Sequence, residues 1–100
     1  LFNKIMKKKL DRDILADVAE RLIEHLQKRH DVQNIDLMNL SGFCRNCLSK
    51  WYLAAAKKRN QNIDYENARE LIYNMPYNEW KKKFQKEASK EQLDKLKSDF

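Results

Sequence analysis

Two cysteines, Cys44 and Cys47, stand three residues apart and are the only thiols in the chain. On a helix that spacing brings both side chains to one face, and three chemistries use such a pair. Two thiolates supply half of a tetrahedral zinc site, which His25, His30 or the cysteines of a second copy would complete. Two pairs across a dimer supply the four thiolates of an iron–sulfur cluster. A pair alone cycles between dithiol and disulfide where a neighbouring charge lowers a thiol pKa. Arg45 and Lys50 are near in sequence, but on a helix they point elsewhere. Against all three stands a plain alternative. Both cysteines lie between Leu40, Leu48 and Trp51, and buried free Cys commonly behaves as a small hydrophobe.

Other candidates are weaker. His25 sits on the rim of an amphipathic helix with no ligand-spaced partner in that helix, so a half-buried histidine bonded to a carbonyl or water explains it too. No Ser-His-Asp order, phosphate-cradling glycine loop or metalloprotease motif is present. Glu66, Glu70, Glu79 and Glu87 read as solvated helix faces, so no catalytic residue and no enzyme activity is expected. Lys81, Lys82, Lys83 and Lys86 surround Tyr77, Trp80 and Phe84. Aromatics among lysines are the ingredients of a single-strand stacking platform. The same three- and four-residue spacing is what any core-facing helix needs. On that view the lysines are the outer face, open to a polyanion or an acidic protein.

The stretch that must position the cysteines runs over residues 34–56. At about 100° per residue, Leu37, Leu40, Phe43, Cys44, Cys47, Leu48, Trp51, Tyr52, Ala54 and Ala55 fall on one side. Asn39, Arg45, Asn46, Ser49 and Lys50 fall on the other. So wide an apolar arc predicts a central helix covered by several neighbours. Asn34 or Asp36 would cap it, and Lys57, Lys58 and Arg59 would close it. Gly42 then lies inside the helix at roughly 1 kcal/mol relative to Ala, with close packing of another backbone as its expected reason.

Ahead of this stretch, Asp11 and Asp13 head an amphipathic helix that buries Leu15, Val18, Ala19, Leu22, Ile23 and Leu26. A short link over residues 30–35 should fold it back onto the central helix. Residues 1–10, with Phe2, Ile5 and Met6, read as a docked segment or a mobile arm. Behind the stretch, residues 59–63 form a second link. Asp64 caps a helix through Tyr65, Ala68, Leu71, Ile72 and Met75, and Pro76 ends it and starts the next. Ser89 and Gln92 form a capping box for a last helix whose Leu93, Leu96 and Phe100 face inward.

Hydrophobic residues make up 42% of the chain and charged residues 36%, enough for one modest core and a well-solvated surface. One Gly and one Pro leave little for β-hairpin turns. The chain is therefore read as all-α, a single compact domain over residues 1–100, of four to five helices packed around the CxxC helix. No apolar run approaches the ~18 residues of a membrane span, and residues 1–10 do not make a secretory signal. Two cysteines in such a chain suit reduced thiols in the cytoplasm. The chain opens Leu1-Phe2 without a Met, which leaves open whether the native N-terminus is present. Net charge is +6, with ten basic against seven acidic residues in 1–50 and eleven against eight in 51–100. The excess is thus no basic tail; solubility alone accounts for it, and nucleic acid is weakly supported.

The run NIDLMNLSGFCRNCLSKWY is preceded by Glu24-His25-Leu26 and Asp31-Val32-Gln33. It is followed by Ala68-Arg69-Glu70, Met75-Pro76-Tyr77, Glu79-Trp80-Lys81 and Gln85-Lys86-Glu87-Ala88. Together these resemble the signature of a small bacterial family known as domain of unknown function twelve-forty-four. The resemblance implies a compact all-helical protein of this length, with no reaction, substrate or site assigned. It also implies Gly where this chain has Asn74, and a small hydroxyl residue where it has His30.

The expected function is that of a small bacterial cytoplasmic protein with a non-enzymatic metal-binding or thiol-redox module. Cys44 and Cys47 carry it, with His25 as a further ligand, zinc as the metal and a homodimer as one way to complete the site. The alternative is an interaction module that meets a polyanion or acidic protein through Lys81, Lys82, Lys83 and Lys86, with both cysteines inert. The protein partner is not identified.

Overall fold

Asp11 starts the first element. Its carboxylate accepts the backbone N–H groups of Asp13 and Ile14 at 2.9 and 3.2 Å, and α1 runs from there over Arg12–Lys28. The computed structural model describes residues 10–99. The expected roles of Phe2, Ile5, Met6 and Phe100 fall outside them. Five more helices follow: α2 (Asn34–Ser41), α3 (Arg45–Lys58), α4 (Tyr65–Tyr73), α5 (Tyr77–Phe84) and α6 (Lys90–Asp99). Among the described residues there are thus six helices and no strand, an all-α single domain. No helix among them is long and apolar enough to cross a membrane.

The expected continuous helix over residues 34–56 is two helices. Gly42 takes the left-handed conformation (φ 80°, ψ 8°), and its N–H bonds to Met38 O at 2.9 Å. That conformation costs an ordinary L-residue roughly 1–2 kcal/mol, so Gly42 is a stop signal and not a packing gap. Neither Asn34 nor Asp36 is the cap of α2. Gln33 holds that place, and its N–H donates to Asp36 Oδ2 at 3.2 Å.

Behind the break, the buried face of α3 also differs from the expected one. On α3 the buried residues are Arg45, Ser49 and Ala56, with Leu48 and Leu53 half-buried. Trp51 and Tyr52, expected inside, stay 58% and 42% exposed, and Leu40 at the end of α2 is 86% exposed. Arg45 and Ser49, expected in solvent, are 1% and 0% exposed. The Ser49 hydroxyl is satisfied locally by donating to Arg45 O at 2.9 Å. Small side chains along this line let α3 lie close against α4, its main neighbour, where Ala68 is fully buried.

The core proper is aromatic and sits between α4 and α5. Ile72, Tyr73 and Trp80 are buried, with Ile23, Leu48, Met75, Tyr77 and Phe84 packed around them. Tyr73 meets Trp80 edge-on with ring centroids 5.1 Å apart, and meets Tyr77 likewise at 5.2 Å. Asp64 caps α4 by accepting the Asn67 N–H at 2.8 Å. Asn74 ends α4 in the left-handed region (φ 58°), and Pro76 precedes α5 as its cap residue, one position earlier than the sequence suggests.

The first helix departs from expectation more strongly. Its main neighbour is α4, reached by Gln27 Nε2 donating to Ile72 O at 3.0 Å. Leu26 is buried and Ile23 half-buried, but Leu15, Val18 and Leu22 are 46%, 61% and 40% exposed. Only the last turns of α1 are therefore covered. At the other end, α6 packs on α2 through polar contacts: Asn39 Nδ2 to Gln92 O at 3.1 Å and Gln92 Nε2 to Asp36 Oδ1 at 2.7 Å. The Ser89–Gln92 capping box is present, with bonds of 2.7 and 3.1 Å. Leu96 is half-buried, while Leu93 is 46% exposed, short of the inward place expected of it.

Candidate functional site

Two residues past the left-handed Gly42, Cys44 is the extended cap residue of α3, and Cys47 stands in its first turn. The pair therefore sits at a helix start, not in mid-helix. The two Sγ atoms are 3.9 Å apart, and both cysteines are free. The turn at Gly42 also folds α2 back, so that Met38 Sδ lies 3.9 Å from Cys47 Sγ. Three sulfurs gather at this corner. Cys44 is 7% exposed; Cys47 and Met38 are half-buried.

The two residues between the cysteines hold the corner in place. Arg45 turns inward. Its Nη1 donates to Val32 O at 2.8 Å and Asn34 Oδ1 at 3.0 Å, and its Nη2 donates to Leu26 O at 3.1 Å and Arg29 O at 2.9 Å. Leu26 O and Arg29 O belong to the end of α1, where carbonyls lack helical partners and a cation suits the dipole. The guanidinium also lies 5.0 Å from the Trp80 ring centroid. Asn46 Oδ1 accepts the Tyr73 hydroxyl at 2.7 Å, and that oxygen in turn accepts Asn34 Nδ2 at 3.0 Å. The Cys-Arg-Asn-Cys segment is thus tied to α1, α2, α4 and the Trp80 ring.

Electrostatics at the pair pull in two directions. Burial pushes the Cys44 thiol above its ordinary range, while the backbone N–H groups of Cys47 and Asn46 work the other way and lose. Burial likewise lowers the pKa of Arg45. Cys44 is a protonated, shielded thiol at neutral pH, and Cys47 is the less buried residue of the pair.

The structure brings Cys44 and Cys47 together and does not bring His25 to them. Among the described residues no three His, Cys, Asp or Glu side chains gather as a metal's ligands would. His25 is exposed in the last turn of α1, and His30 stacks on Phe84 with centroids 4.1 Å apart. Lys81, Lys82 and Lys83 are exposed on α5, and Lys86 is exposed just beyond it. Trp80 beneath them is 2% exposed, so it is core and no stacking platform.

Sequence reasoning missed Met38, Arg45 and Asn46. A signal existed for the first. Gly directly after the periodic run Asn34–Ser41 is a helix stop, and a helix ending there puts Met38 and the cysteines on two elements that meet. No hydropathy pattern foretells a buried Arg.

A family model described as Protein of unknown function (DUF1244) matches residues 32–98, which takes in α2 to α6 up to Ser98 and leaves α1 outside. No curated protein matches the chain.

Proposed function

We propose a function for a chain that belongs to the DUF1244 family: a non-enzymatic dithiol module in which Cys44 and Cys47 close reversibly into a disulfide. The observation that carries this reading is the placement of both sulfurs, 3.9 Å apart, at the amino end of α3. Free backbone N–H groups there oppose, without overcoming, the burial that raises the Cys44 pKa. Cys47, the more exposed, attacks one sulfur of a small-molecule disulfide and expels one thiolate. Cys44 then attacks Cys47 Sγ and expels the second. Two protein thiols are oxidised, one small disulfide is reduced to two thiols, and the two protons pass to them. Burial of Cys44 makes the second step slow. The closed ring spans few residues and adds little stability, so the pair serves as a sensor or carrier of redox state and not as a staple. The cytoplasm, with its thiol buffer, is the compartment this reading expects.

The test equilibrates the reduced protein with mixtures of oxidised and reduced glutathione and reads intact mass. Loss of two hydrogens at a defined ratio, with only a mixed disulfide in Cys44→Ser, supports the reading. A wild-type protein that never loses two hydrogens while folded refutes it.

A second reading concerns a partner. Leu10, Ile14, Leu15, Val18 and Leu22 are 40–64% exposed along one side of α1 and two residues ahead of its start. Asp11, Asp13, Asp17 and Glu20 outnumber Arg12 in the first half, and Arg21, Lys28 and Arg29 outnumber Glu24 in the second. Two copies paired antiparallel set net-acidic halves against net-basic halves, and a specific pairing must cover on the order of 1,000 Å². Val18→Glu should turn a dimer into a monomer in sedimentation; a wild-type monomer at 100 µM sinks this reading. The lysine surface of α5 supports a polyanion reading less directly. It predicts binding that survives Cys44→Ser and falls steeply with salt.

A further inference from the structure

From the three sulfurs at the α2–α3 corner we infer a binding site for a soft monovalent metal ion, Cu(I), held by Cys44, Cys47 and the thioether of Met38. The inference rests on the dithiol reading in one respect: both thiols must be reduced and reachable.

The geometry argues first. Metal–sulfur bonds of about 2.3 Å in a trigonal plane hold sulfurs about 4 Å apart. Two of the three edges already have that length, Cys44 Sγ to Cys47 Sγ and Cys47 Sγ to Met38 Sδ, both 3.9 Å, and binding would set the third by rotation of the Met38 side chain. The site is set up by the backbone, since the left-handed Gly42 cap brings Met38 of α2 against the first turn of α3.

Donor chemistry argues second. Two thiolates and a thioether are a soft set that selects Cu(I). Zinc asks for four ligands, and no third Cys, His, Asp or Glu joins the pair among the described residues. Hard cations ask for oxygen ligands. Half-buried Met38 and Cys47 leave an approach for an ion passed on by exchange of ligands, while buried Cys44 limits access by water and oxygen.

Charge argues third. Binding releases both thiol protons and leaves the two thiolates and one Cu(I) with a net charge of −1; no electron moves. Arg45, between the two cysteines, is a buried cation whose four acceptors are three carbonyls and one amide oxygen, and it joins no ion pair among the described residues. Its charge already interacts with the Cys44 sulfur. A metal-loaded site gives this guanidinium the counter-ion it lacks.

The experiment titrates reduced protein, without air, against the Cu(I)–bicinchoninate complex and reads competition by absorbance. Wild type, Met38→Leu, Cys44→Ser and Cys47→Ser are compared after circular dichroism has verified each fold. The expected result is one Cu(I) per chain and a loss of affinity of about tenfold or more in Met38→Leu. Both Cys variants should lose binding at the probe's affinity. X-ray absorption of the loaded wild type should give a shell of three sulfurs, and of Met38→Leu a shell of two. Equal affinity and an unchanged shell in Met38→Leu overturn the site as proposed, as does a wild type that takes no Cu(I) from the probe. Disulfide closure by glutathione is measured on the same preparations. Closure intact with no copper bound defeats this inference alone, and loss of both defeats the dithiol reading too.

Discussion

Arg45 is the residue whose removal should be felt most. It is 1% exposed and donates four hydrogen bonds of 2.8–3.1 Å that join the end of α1 and the start of α2 to α3. In Arg45→Met the volume is nearly kept, and the charge with its desolvation penalty is gone. What remains is the cost of the acceptors left behind. Arg29 O keeps the Val32 N–H at 3.0 Å, and the half-buried Asn34 side chain can rehydrate the Oδ1 that loses its Arg45 donor. Leu26 O and Val32 O lose the donors that Arg45 supplied. At about 1–3 kcal/mol for each of these two unsatisfied groups, plus a cation–π contact near 1 kcal/mol, the loss is roughly 3–7 kcal/mol. Relief of the guanidinium's desolvation places the net at the lower end of that span. Stability in total is typically about 5–15 kcal/mol, so the variant should remain measurable. With urea slopes of about 1–3 kcal/mol per molar, the midpoint should fall by about 1–3 M. Arg45→Lys keeps the charge but not the fork and should lose about half as much. Circular dichroism in urea checks this. An Arg45→Met midpoint indistinguishable from that of wild type would refute the claim that this guanidinium ties the helices together.

The remaining expectations are narrower. Gly42→Ala puts a Cβ at φ 80° and should cost about 1–2 kcal/mol in the same assay; a neutral result would mean that α2 and α3 tolerate fusion into one helix. Gln33 donates to Phe84 O at 2.9 Å and accepts the Lys86 N–H at 2.8 Å, so Gln33→Leu should cost about 1–3 kcal/mol and speed hydrogen exchange at Lys86; unchanged protection there would show that the segment after α5 is held by other means. Burial raises the pKa of the Cys44 thiol and the Tyr73 hydroxyl above their ordinary 9.0 and 10.0. The fold holds these protons more tightly than the unfolded chain does. Their contribution is complete below pH 9 and is lost as pH climbs through the raised folded values. Melting temperature should therefore decline above pH 9, and in Cys44→Ser the onset should move toward pH 10; a flat profile to pH 11 in wild type would contradict the burial argument.

Much of the fold is legible in the sequence because its punctuation is. Asp11, Asp64 and the Ser89–Gln92 pair announce helix starts by hydrogen bonds local to a few residues, and Pro76 an ending by the N–H it lacks. The resemblance was also informative at Asn74, where Gly is the expected residue and the backbone is left-handed. The corner at Gly42 was misread because a long apolar arc favoured one helix, although a left-handed stop was equally written there. Missing the stop sets the cysteines in mid-helix, whereas the inward Arg45 and Ser49 and the exposed Trp51 and Tyr52 follow from hydrogen bonds and neighbours that hydropathy does not encode. The apolar side of α1 was legible as amphipathic, but how much of it the chain covers depends on where α4 lies, which periodicity does not encode.

The most direct test of the central claim is the rate at which each thiol reacts in the folded protein. Reduced protein is pulsed with iodoacetamide, digested and mapped by mass, with global unfolding measured in parallel. The dithiol reading predicts that Cys47 is labelled far faster than the chain unfolds and that Cys44 lags behind it. Labelling of both cysteines only at the unfolding rate would make the pair inert core and contradict the account.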